Sequence, residues 1–231
     1  MRFLKNVKSY FSKYDILLFT ISVIILIVSF CIFDRVNFLT LIMSILSVVM
    51  LIFIAKGNVI GQFLSLAFCT FYSIISFNNR YYGEMITYLF MTMPMAILSI
   101  FSWLKNPYKE NKMQVKVNKI TFKEVVFMFI LTAVVTIIFY FILKYFNTAN
   151  LFFSTISIST SFIAVYLTFR RSEYYALGYA SNDIVLIILW VLASFNDASY
   201  ISVVICFIVF LVNDIYGFYN WKRMQKRQSK M

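Results

Sequence analysis

Eight apolar stretches, approximately 16–33, 36–55, 58–77, 84–104, 122–146, 150–169, 174–195 and 199–220, follow one another along the chain with little between them. An α-helix crosses a hydrocarbon layer about 30 Å thick with roughly 20 apolar residues. Each stretch is therefore long enough to span a bilayer, and together they leave no room for a soluble domain. Of 231 residues, 62% are hydrophobic and 13% charged, and the mean hydropathy of +0.84 lies outside the range of a water-soluble globule. With five glycines and two prolines the stretches read as continuous helices, and none alternates in polarity every second residue as a membrane barrel strand does. The expected fold class is all-α, a polytopic membrane protein of about eight transmembrane helices.

Lys5, Lys8 and Lys13 precede the first stretch as they would in a secretory signal. That stretch runs on to Asp34-Arg35 without a small-residue cleavage pattern, so it reads as a retained helix. The net charge of +12 is distributed by topology: with eight helices, 18 of the 21 Lys and Arg fall on the N-terminus, the even-numbered loops and the C-terminus. Only Arg35, Arg80 and Lys144 fall on the other side. By the positive-inside rule both termini are cytoplasmic in a multi-pass plasma-membrane protein. The run from Lys105 to Lys123 and the tail from Lys222 to Arg227 are expected to meet anionic lipid. The lipid bilayer, and not nucleic acid, is the partner implied.

Several chemistries are absent from the sequence. There is no histidine, no Asp-x-x-Asp pair and no Ser-Lys constellation, so neither enzyme activity nor a cofactor is expected. Cys31, Cys69 and Cys206 are far apart, lack metal-ligand spacing and read as core packing.

An internal repeat is visible instead. "SFNNRYYGE" from Ser76 and "SFNDASYIS" from Ser194 share Ser-Phe-Asn at a shift of 118 residues, and the same ungapped shift pairs Tyr82 with Tyr200, Trp103 with Trp221, and Tyr72 with Trp190. Two parallel three-helix repeats, 36–105 and 150–221, are then joined by a basic loop and linker helix, 106–149. An N-terminal segment with an extra helix, 1–35, and a basic tail, 222–231, complete the chain. Such repeats place a substrate site between the units near the midplane.

Polar residues within the helices mark candidates for that site. Gln62, Ser65, Cys69, Tyr72 and Ser76 recur at helical spacing on the third helix, as do Tyr179, Asn182, Asp183, Leu186 and Trp190 on the seventh. Tyr72 and Trp190 are expected to sandwich a flat heterocycle, with a cation–π contribution of about 0.5–2 kcal/mol if the ring is charged. Gln62, Asn182 and Asn213 offer amides to a sugar or carboxamide. Asp183 reads equally as a ligand and as a helix–helix hydrogen bond; for Asp214 the structural role is favoured. Tyr88 lies one turn from Glu84, which either attracts a cation or, the preferred reading, caps its helix. Pro94 is expected to kink helix four, and Trp103 and Trp221 to anchor at the interface.

The order of these motifs is similar to that of a known family. "GNVIGQFLSLAFCTFYSIISFNNRYYGEMITYLFMTMPMAILSIFSWLKNP" carries a Gly-Gln helix start, a Tyr-Gly-acid turn and a Ser-Trp end. "RRSEYYALGYASNDIVLIILWVLASFNDASYISVVICFIVFLVNDIYGFYNWKR" carries Arg-x-x-Glu before a helix with Asn-Asp, and a Tyr-Gly-x-x-x-Trp end. From about residue 36 to 225 the chain resembles the PnuC family of vitamin transporters. The resemblance implies a SWEET-like fold, a homotrimer, and import of nicotinamide riboside by facilitated diffusion with cytoplasmic phosphorylation trapping the substrate. Relatives in the family carry thiamine, riboflavin or deoxynucleosides, which stand as alternatives beside ion-coupled transport through Asp183 or Asp214. Members that bind nicotinamide riboside are expected to carry Trp-x-x-x-Asn on helix seven. Here the first position is Gly178 and Asn182 is retained, so Gly178 is expected to influence gating or enlarge the pocket.

Overall fold

The computed structural model describes residues 10–78 and 82–230. Arg2, Lys5, Lys8 and Arg80 of the charge tally, and Asn79 to Tyr81 of the first repeat motif, lie outside the described residues.

Among the described residues eight helices follow the eight apolar stretches: α1 (Lys13–Ser29, continued by a π turn, Phe30–Asp34), α2 (Phe38–Ala55), α3 (Ile60–Asn78), α4 (Tyr82–Lys105), α5 (Phe122–Tyr145), α6 (Leu151–Phe169), α7 (Tyr175–Ser194) and α8 (Ile201–Gln228). Seven of these, taken with their flanking turns, are long and apolar enough to cross a membrane, and α3 is apolar over Ile60–Ile74. Local chemistry sets their starts. Ser12 with Asp15, and Thr121 with Glu124, form reciprocal capping boxes that satisfy the first N–H groups of α1 and α5.

Large aliphatic and aromatic side chains on the outside, such as Ile24, Phe129, Ile137 and Phe141, meet lipid. Between helices the apolar effect is weak in lipid, so close packing and hydrogen bonds hold the bundle. The extra helix α1 is fastened this way. Asp15, 2% exposed, accepts from Lys56 Nζ at 2.8 Å and from Tyr216 Oη at 2.6 Å, and Ser22 Oγ accepts from Asn213 Nδ2 at 3.1 Å.

The loop after α4, read from the sequence only as basic, folds into an antiparallel ribbon of β1 (Pro107–Tyr108) and β2 (Asn111–Val115). Its continuation ties both halves together. Val115 N–H donates to Gly57 O at 2.9 Å and Asn118 N–H to Arg171 O at 3.0 Å. Gln228, at the end of α8, accepts from Val117 N–H at 2.8 Å and donates to Val115 O at 3.1 Å.

The two halves share a geometry, although not in one register. Gly57 and Arg171, 114 residues apart, each close the first helix of a half in the left-handed conformation, with φ of 67° and 56°. In the next positions Asn58 and Ser172 each accept, through a side-chain oxygen, the N–H two residues on. Trp103 and Trp221 are also equivalent, but at 118 residues, so one helical turn is inserted between these landmarks and no single ungapped shift holds across both. At the shift of 114, Asp183 matches Cys69 and Tyr72 matches Leu186.

The tryptophans are not interface anchors. Trp103 is 2% exposed and Trp221 fully buried, and their ring centres are 5.5 Å apart. Cys69 and Cys206 are buried as expected, whereas Cys31 is exposed.

Candidate functional site

A group of polar and aromatic side chains lies inside the bundle where α3 and α4 face α7 and α8. On α3, Phe68 and Tyr72 are one turn apart and their rings lie nearly parallel, 5.5 Å between centres. On α4, Glu84 and Tyr88 are likewise one turn apart. Tyr72 Oη donates to Glu84 Oε2 at 2.7 Å, and the Tyr72 and Tyr88 rings meet at 4.5 Å, tilted by 50°. Phe68 closes the group edge-on to Tyr88 at 6.0 Å.

Tyr88 owes its place to the proline six residues on. Pro94 has no N–H to return to Phe90 and its ring crowds that carbonyl. Immediately upstream α4 widens into a π turn over Tyr88–Thr92, in which Met93 N–H reaches back to Tyr88 O. The perturbation expected from Pro94 is therefore this π turn, while Pro94 itself is exposed on the outer face.

Across from this group, Asp183 on α7 and Asp214 on α8 bring their carboxyl groups close together. Asp183 is 5% exposed, Asp214 is 3%, and Asp183 Oδ2 has no partner. Tyr179, one turn before Asp183, lies near Thr168, Asp183 and Asp214. Tyr88 is within electrostatic reach of Glu84 on its own helix and of Asp183 and Tyr179 on the opposite half. The site thus offers tyrosine faces and hydroxyls from both halves around three carboxyl groups.

The candidates from the sequence divide accordingly. Tyr72, Tyr88, Tyr179 and Asp183 come together here. Cys69, and Ser65 one turn before it, border the same region. Gln62 is buried at 2% with Nε2 unpartnered, one turn nearer the start of α3. Trp190 is elsewhere: its ring packs on Tyr200 at 5.2 Å, so the expected sandwich with Tyr72 is not formed, as the broken register explains. Asn213 is also withdrawn from the site, since its amide nitrogen is spent on Ser22 and on Val209 O. Asn182 turns its Oδ1 to Thr160 and Ser161 on α6, each at 2.9 Å, which is a helix–helix contact.

Gly178 is a packing position and not a pocket wall. A Cβ there would stand 2.8 Å from Ala164 Cα, so α6 and α7 approach too closely for any side chain. It neither opens space for substrate nor interrupts α7, which is continuous through it. Sequence reasoning gave Glu84 mainly a capping role and left Phe68 out. The i, i+4 spacing of Phe68 to Tyr72 and Glu84 to Tyr88 was the available signal.

A family model described as nicotinamide mononucleotide transporter matches residues 37–223, which takes in every residue of this site. The chain belongs to the PnuC family of membrane transporters. It is 23% identical over 203 residues to the nicotinamide riboside transporter PnuC of Neisseria mucosa, covering 86% of this chain and 77% of that one. To the nicotinamide riboside transporter PnuC of Haemophilus influenzae it is 23% identical over 194 residues, covering 84% and 83%. The crystal structure of the vitamin B3 transporter PnuC shares the fold, with a TM-score of 0.79 over 94% of both chains at 20% identity. This PnuC-family chain is thus a multi-pass membrane transporter of a small molecule, and membership of a transporter family removes the enzyme alternative.

Proposed function

We propose that this protein imports nicotinamide riboside across the plasma membrane by facilitated diffusion, with both termini in the cytoplasm and phosphorylation there trapping the product. The observation that carries the reading is the aromatic and carboxyl cluster at the meeting of the two halves, built from Tyr72, Glu84, Tyr88, Tyr179 and Asp183. A flat pyridinium finds tyrosine faces there, and a ribose finds hydroxyl and carboxyl partners. Two relatives named nicotinamide riboside transporters support the substrate. The distribution of 18 of the 21 basic residues supports the orientation. The same reading takes the protein as a homotrimer.

Uptake of radiolabelled nicotinamide riboside into proteoliposomes tests it. Facilitated diffusion gives uptake that stops when internal and external concentrations are equal and that ionophores leave unchanged. Accumulation above the external concentration that ionophores abolish would move the assignment to ion-coupled transport. A second reading, another flat vitamin such as thiamine, draws on Gly178 and Trp190, because neither places an indole in the cluster.

A further inference from the structure

We propose that Glu84, Asp183 and Asp214 read the positive charge of the transported ring, making the site selective for a flat organic cation over a neutral molecule of the same shape. The inference rests on the transport reading above and adds the residues that set its specificity. Carboxyl groups inside a membrane bundle are costly and persist where they meet a partner, an ion path or a substrate. Among the described residues the ion pairs of this protein are Asp15 with Lys56, Glu124 with Arg170, and Glu173 with Lys222. Those three join helix ends and the turns beside them. None involves the three acids of the central cluster.

What those acids have instead is incomplete. Among the described residues Glu84 receives one side-chain hydrogen bond, from Tyr72. Asp183 and Asp214 are buried neighbours, and among the described residues neither is paired with a basic side chain. Asp183 Oδ2, in a residue 5% exposed, has no hydrogen-bond partner, so a buried acceptor stands unsatisfied beside the tyrosines. Tyr88 is one turn from Glu84 and lies near Asp183. Its ring is joined to those of Tyr72 and Phe68, whose faces attract a cation in the same direction as the carboxyl groups do. Aromatic faces and unpaired carboxyl groups on one lining form a site complementary to delocalised positive charge. A neutral ring would gain the stacking and leave the buried acids uncompensated.

The test compares nicotinamide riboside, a pyridinium cation, with its reduced dihydropyridine form, which is neutral but keeps the same sugar and carboxamide. Both are titrated calorimetrically into purified full-length protein, with Glu84→Gln and Asp183→Asn in parallel. Glu84→Gln still accepts the Tyr72 hydrogen bond, and retention on size exclusion reports folding. The expected result is binding of the cation at least about tenfold tighter than the neutral form, with that ratio falling toward one in either variant. Equal affinities in the native protein, or a ratio unchanged in both variants, would overturn the charge-reading role while leaving the transport reading intact. If neither form binds, the nicotinamide riboside assignment fails. Thiamine, a cation, against neutral riboflavin and thymidine then decides the charge inference: tighter thiamine supports it, and any other order refutes it.

Discussion

Trp103 and Trp221 each donate an indole N–H to the first helix of the opposite half. Trp103 Nε1 bonds Thr168 O at 2.9 Å and Trp221 Nε1 bonds Ile54 O at 2.8 Å, and both acceptors are the penultimate residues of their helices. The rings meet at 5.5 Å, so the exchange is reciprocal about a pseudo-twofold axis running between them. Each carbonyl also accepts the backbone N–H three residues on, from Gly57 to Ile54 and from Arg171 to Thr168, so the indole takes up its second lone pair. Trp103→Phe and Trp221→Phe are each expected to cost about 0.5–1.5 kcal/mol for the lost bond, since each carbonyl keeps its backbone donor. Thermal unfolding in detergent measures this, and the double variant should lose less than the sum, because the two rings share one contact.

Gly178→Ala should destabilise the protein by about 1–3 kcal/mol, since the new methyl meets the backbone of Ala164 and not a flexible side chain. Substrate affinity per folded molecule should be unchanged. Gly178→Trp should not yield folded protein on a size-exclusion column. A folded Gly178→Trp with altered specificity would place this position in the pocket after all.

Asn182→Ala should cost less, about 0.6 kcal/mol as is typical of hydrogen bonds between membrane helices. Thr160 already reaches Ile156 O and Ser157 O on its own helix, so the loss of Asn182 Oδ1 does not strand its hydroxyl. Melting temperature checks this, and a much larger loss would mean that the amide does more than join α6 to α7.

Gln228→Ala removes both side-chain bonds that clip Val115 and Val117 to α8. The segment carrying Lys116 and Lys119 should then be cut by trypsin several times faster than in the native protein. Global melting should change little, since the bonds from Val115 to Gly57 and from Asn118 to Arg171 remain.

The sequence made the helices legible because length and apolarity alone determine what spans a bilayer. Its charge asymmetry and the Ser-Phe-Asn repeat gave the count and the two halves. The site was harder to read. Tyr72 and Asp183 stood out as polar groups in apolar helices, yet which neighbours they face depends on a register that shifts by one turn between Gly57–Arg171 and Trp103–Trp221. That shift moved Trp190 out of the pair with Tyr72. Asn213 and Asn182 resembled ligands by type, and only the positions of Ser22 and Thr160 on other helices turn them into helix–helix bonds. Trp103 and Trp221 sit beside Lys105 and Lys222, the signature of an anchor; their burial comes from tertiary packing that local sequence does not encode.

The central claim is that nicotinamide riboside binds at the cluster around Tyr88. Isothermal titration of the purified protein with nicotinamide riboside, alongside Tyr88→Ala, tests it most directly. Saturable binding in the native protein, weakened at least about tenfold in Tyr88→Ala with folding retained, is the result predicted, in keeping with about 1–3 kcal/mol for loss of one stacking ring. Equal binding by the native protein and Tyr88→Ala would contradict the site, and no binding by the native protein would contradict the substrate.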